Sequence, residues 1–129
     1  MIGTVVKKIL IDFPAFSAIA GTAVYPLRIA QGITFPAVTY QIISSTPAKC
    51  KGEKSKADKI RMQISAFSKI YDQQEQLTAA IRDALDGFKG TVLGLSIASI
   101  DYENETDRHD DEATVFFKAI DFTITINRQ

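Results

Sequence analysis

The residues with the most evident capacity for chemistry are crowded toward the end of the chain. The single histidine, His109, stands among Glu103, Glu105, Asp107, Asp110, Asp111 and Glu112. Carboxylate oxygens bind hard cations such as calcium or magnesium, but the spacing is not that of an EF-hand loop and no glycine supplies its sharp turn. A histidine acting as general base needs an oriented partner and a nucleophile, and neither is signalled. The run from Asp101 to Glu112 holds seven carboxylates and one arginine. Such a charge block reads as a solvated acidic tip.

A second group is basic. Lys49, Lys51, Lys54 and Lys56 have only Glu53 among them within residues 45–58, which close on Asp58, a segment without apolar period that reads as a solvated loop. Four lysines on a loop can follow a phosphate backbone or meet an acidic surface. Cys50 lies between Lys49 and Lys51, which favours its thiolate, yet the histidine that would activate it belongs to another segment. As the only cysteine it forms no intrachain disulfide, which is compatible with a reducing cytoplasm. The glycines make neither a GxGxxG nor a GxxxxGK[ST] phosphate cradle. The chain is therefore expected to be no enzyme, with no catalytic, metal or cofactor-binding residue and no cofactor.

The two charged segments offer a different use. If copies assemble head to tail, Lys49, Lys51, Lys54 and Lys56 of one could face Glu103, Glu105, Asp107, Asp110 and Asp111 of the next, in a heterologous contact that closes into a ring. A formal net charge of zero built from two opposed blocks suits that arrangement and argues against non-specific DNA binding as the main task. The alternative is a small nucleic-acid-binding module that uses the lysine-rich loop, with Tyr40 or Tyr71 as stacking groups.

What must position these segments is one domain over residues 1–129, with the composition of a soluble globular protein. No apolar run approaches the roughly 20 residues that span a bilayer, so no membrane contact is expected. Lys7 and Lys8 inside the first apolar segment do not fit a secretion signal, and the start reads as a mature N-terminus. Ile2, Val5, Val6, Ile9, Leu10 and Phe13 share one helical face, and Pro14 ends or restarts that helix. Strands are expected around Val38 to Ser44 and Ile60 to Phe67, each showing a period of two. Leu77, Ile81, Ala84, Leu85 and Phe88 then recur at helical spacing, with Asp72 and Glu75 as a capping box and Gly87 as the stop. Strands at Thr91 to Ile100 and Ala113 to Asn127 complete an antiparallel hairpin whose tip is 101–112. The expectation is an α+β two-layer sandwich: a mainly antiparallel four-stranded sheet with two helices on one face, ordered helix, strand, strand, helix, strand, strand.

The succession Ala23-Val24-Tyr25-Pro26, then Gln31-Gly32 and Phe35-Pro36-Ala37-Val38-Thr39-Tyr40-Gln41, resembles the start of the small tail completion proteins of long-tailed bacteriophages and prophages. Arg61-Met62-Gln63-Ile64-Ser65, Phe67, the helix with Ala80-Ile81 and Ala84-Leu85, and Gly87 are similar to that family's arginine-led strand and following helix. The resemblance runs from about Ile9 to Asn127. It implies a virion structural protein, related in fold to tail terminator proteins, at the head-to-tail junction. It also implies assembly as a ring, commonly hexameric, that caps the tail tube, docks to the head connector and at most lets genomic DNA pass through. Synthesis in the bacterial host cytoplasm goes with it. The lysine-rich segment and the acidic hairpin are longer than the resemblance leads one to expect.

Overall fold

A computed structural model describes residues 2–28, 32, 34–47, 57–111 and 114–127. Its elements are α1 (Ile2–Asp12), α2 (Pro14–Ala20), β1 (Val24–Pro26), β2 (Ala37–Pro47), β3 (Ala57–Ser68), α3 (Tyr71–Leu85), β4 (Gly90–Val92), β5 (Leu95–Asp110) and β6 (Val115–Asn127). The strands form one six-stranded sheet in the order β1-β2-β3-β6-β5-β4. β1 runs parallel to β2, and every other neighbouring pair is antiparallel.

This corrects the expected four-stranded sheet with two helices. Among the described residues the architecture is mostly β, a mixed sheet of six strands with three helices. The missing strands, β1 and β4, are three residues long. That is too short to display an alternation. The third helix exists because Pro14 restarts the chain rather than merely ending α1: it occupies the first turn of α2, where its absent N–H is not needed. The expected strand at Thr91 to Ile100 is broken by a turn at Leu93 and Gly94, which separates β4 from β5. The acidic segment is no loop either, since β5 stays paired with β6 as far as Asp110. The lysine segment and Cys50 lie outside the described residues.

The core follows from strand parity. On β3, Ile60, Met62, Ile64 and Ala66 are buried, and they pair with Ile124, Phe122, Ile120 and Lys118 of β6. This surface receives Val5, Val6 and Leu10 of α1, Phe16 of α2 and Leu77, Ile81 and Leu85 of α3, all in one buried cluster. Gly3 lets α1 lie directly on the Tyr40 ring, since a Cβ there would overlap it. α3 begins at Tyr71, one residue before the expected N-cap, and its N-cap position, Ile70, makes no side-chain cap. Ser68 takes over part of that work: its Oγ accepts from the Ile70 amide at 3.1 Å and donates to Gln73 Oε1 at 2.7 Å. Asp72 stays in the first turn, where a negative charge suits the helix dipole. At the other end Gly87, at φ 79°, donates its amide to the Ile100 carbonyl and ties the helix exit to β5. Among the described residues no helix is long and apolar enough to cross a membrane.

Burial sets the expected costs. Ile81 is fully buried, so Ile81→Ala should lower unfolding free energy by about 2–5 kcal/mol, and Leu77→Asp should abolish folding. Gln74 is also fully buried, with neither amide atom hydrogen-bonded among the described residues. Gln74→Met should therefore raise stability in urea denaturation by about 1–2 kcal/mol.

Candidate functional site

Lys118 stands at a position of β6 that its neighbours Phe116, Ile120 and Phe122 mark as facing the helices. Its side chain is only 10% exposed, so its charge must be matched nearby. The partners come from two elements. Glu75 Oε1 of α3 accepts from the ammonium at 3.0 Å, while Glu105 Oε2 and Asp107 Oδ1 of β5 lie at 3.3 and 3.4 Å. A bulge in β5 between Tyr102 and Asn104 makes this possible. Before it, Ile100 and Tyr102 oppose Ile124 and Phe122; after it, Glu105 and Asp107 oppose Ile120 and Lys118, so the helix-facing parity passes from even to odd residues.

Aromatic residues surround the cluster. The Tyr71 hydroxyl donates to Asp107 Oδ2 at 3.1 Å, and the ring meets Phe116 edge-on with centroids 5.4 Å apart. The Tyr102 hydroxyl donates to Glu105 Oε1 at 2.7 Å, and the Arg82 guanidinium lies 3.9 Å from the centre of the same ring. Hydrogen bonding to Glu75 and then to Asp107 pushes the Tyr71 phenol up to about 12. The Tyr71 hydroxyl, followed by Lys118, holds Glu75 below the usual carboxylate range. Burial works against the Lys118 charge, but Glu75, Glu105 and Asp107 together outweigh it and hold the ammonium above its ordinary range.

Chemically the arrangement is a clamp. An ammonium held in its charged form is neither a base nor a nucleophile, and a phenol with a raised pKa is a poorer proton donor at neutral pH. Among the described residues no group of three His, Cys, Asp or Glu side chains is placed to hold a metal ion. Where Glu105 and Asp107 converge, the lysine itself supplies the cation.

Of the acidic residues singled out from the sequence, Glu105 and Asp107 are brought together here. Glu103 is exposed at the bulge, apart from them. Asp111 Oδ1 accepts from His109 Nδ1 at 2.7 Å, and the His109 ring lies 4.8 Å from that of Phe116. Asp110 closes β5, while Glu112 and Lys49, Lys51, Lys54 and Lys56 lie outside the described residues. Lys118, Arg82 and Tyr102 belong to no sequence motif, and the spacing of Glu75 from Asp72 points to a helix cap. The available signal was a lysine on an otherwise apolar alternating face.

Lys118→Met should destabilise the fold by about 1–3 kcal/mol, less than the roughly 3–5 of a fully buried pair, because Glu75 and Asp107 still meet water. The folded state holds Glu75 low, so its contribution is present above about pH 4.3 and lost as pH falls through its folded value. Lys118 is held high, so its contribution is present below about pH 10.4 and lost as pH rises through its folded value. In thermal melts from pH 7 to 3 the wild type should lose stability, and the Lys118→Met deficit should shrink as the crowded carboxylates protonate.

A chain from the virion of a native gene transfer agent particle superimposes with a TM-score of 0.81, covering 97% of this chain and 93% of that one at 17% identity. At that identity the likeness is one of fold. Among curated proteins none matches. The family model for tail completion protein gp17 matches residues 5–127, nearly the whole chain. The chain belongs to the tail completion protein gp17 family, and with it to the structural proteins of bacteriophage virions.

Proposed function

We propose that the protein is a non-enzymatic subunit of a ring of six copies that completes the tail tube and joins it to the head connector. Family membership over residues 5–127 carries this reading. The clamp fits it: Lys118 and its partners fasten α3 to the sheet, as a part held rigid for assembly requires. The ring would be built in the host cytoplasm and reside at the junction of head and tail, with the genome passing through its lumen.

In this reading Lys49, Lys51, Lys54 and Lys56 of one copy meet the acidic β5 end of the next, where Glu103 and Asp111 are exposed and Asp110 closes the strand. Glu105 and Asp107 contribute to the field there while held by Lys118. Pro47 and Ala57, which flank the lysine segment, stand at the opposite end of the sheet from the β5–β6 turn. That placement favours contact between copies over contact within one.

Solution molar mass measured across concentration, together with co-sedimentation on isolated tail tubes, tests the ring. Multimers at high concentration or saturable tube binding are expected. A strict monomer that ignores tubes would overturn the reading. Lys51→Glu with Lys54→Glu should weaken assembly while leaving the melting temperature unchanged, with partial recovery on adding Glu103→Lys and Asp111→Lys.

A further inference from the structure

The two lateral margins of the sheet carry apolar features of opposite shape. At the β1–β2 margin Leu27 is 70% exposed, and Ile42 and Ile43 of β2 are half exposed. The Leu27 amide donates to the Tyr40 carbonyl at 2.8 Å, which seats it against β2 just short of the two isoleucines. No charged residue occurs in β2 from Ala37 to Pro47, so this margin lacks the lysines with which exposed edge strands are usually defended. At the β4 margin there is instead a recess of about 540 Å³ between α1, the end of α3 and the β4–β5 turn. Ile9, Phe13, Ala84, Phe88 and Val92 line it, and Leu93, 58% exposed, forms its lip.

Leu27 and Leu93 share a second property. Both hold positive φ, 65° and 51°, a region a leucine occupies at a cost. Glycine or asparagine would relieve that strain, so a leucine presented to water in this conformation at each margin calls for a role beyond the turn itself.

We infer that Leu27, Ile42 and Ile43 of one copy insert into the α1–α3–β4 recess of a neighbouring copy. Knob and recess sit at opposite margins of the same sheet, so the contact is heterologous and each copy uses both at once. A recess of that size falls within the range that admits a compact apolar group. Charge agrees: the recess rim carries Lys8 and Asp12, paired with each other at 2.9 Å, and the exposed Arg28 next to Leu27 brings a cation toward the exposed Asp12. The occupant is thus a second copy of this chain. The inference rests on the ring reading and adds to the charged contacts an apolar lateral one.

The test uses the full chain with Cys50→Ser. A Leu27→Cys protein and a Leu93→Cys protein are treated with a short bismaleimide, separately and mixed, and resolved on denaturing gels. Cross-linked dimers should form in the mixture and not in either protein alone, and a chain carrying both substitutions should give a ladder. Dimers from Leu27→Cys alone would mean a two-fold contact and overturn the inference, as would no cross-link in any sample. Leu27→Asn should keep or raise the melting temperature while lowering self-association about tenfold or more. Unchanged association would equally overturn it. Rings visible by negative stain without the mixed cross-link would refute this contact and leave the ring standing, whereas the mixed cross-link in open chains would do the reverse.

Discussion

One constraint runs through the molecule: the helices cover a single face of the sheet, so the parity of the central strand decides where everything else goes. β3 is flanked by β2 on one side and β6 on the other, and its even residues are the buried ones. Pairing hands that parity on, to Val38 and Tyr40 of β2 and to Ile120, Phe122 and Ile124 of β6. A shift of one residue at either ladder would turn an isoleucine row to solvent, which is why the register is strongly specified here.

The bulges are where that inheritance is edited. Irregularities after Ile97 in β5 and after Ile42 midway along β2 shift the register there, while the one between Tyr102 and Asn104 changes which carboxylates look toward α3. The result is that Lys118 can sit nearly buried without being an orphaned charge. What looks in the sequence like uniform solvating acidity is two populations. Glu105 and Asp107 are structural ligands of an ammonium, whereas Glu103 and Asp111 remain turned to water.

How much of this could be read beforehand follows from the range of each signal. α1, β2, β3, α3 and β6 were legible because their alternation or helical period extends over enough residues to be counted, and Gly87 was legible as a helix stop. β1 and β4 were not, because three residues carry no period and their pairing is decided by partners elsewhere in the chain. The capping box does not form because α3 begins at Tyr71, so Asp72 already lies inside the first turn, and the Glu75 carboxylate accepts from Lys118 of β6 instead. β5 continues as a strand past Ile100, but this part was not legible because its bulge shifts the alternation at the point where charge begins to dominate. Lys118 is a different case: the sequence contains the anomaly, but its counter-charges depend on a bulge that turns Glu105 and Asp107 toward it and on Glu75, 43 residues away along the chain.

The glycine near the start of α1 has a consequence that reaches past packing. α1 touches Tyr40 beside one margin of the sheet through Gly3 and reaches the recess beside the other through Ile9, Asp12 and Phe13. A helix is stiff along its axis, so one short rod sets the angle between the two margins. In any assembly that closes on itself the rotations of all copies must sum to a full turn, and an angular error in one copy is repeated in every other. A larger side chain at position 3 would lift one end of that rod, and the misfit would show as a gap where the last copy should meet the first.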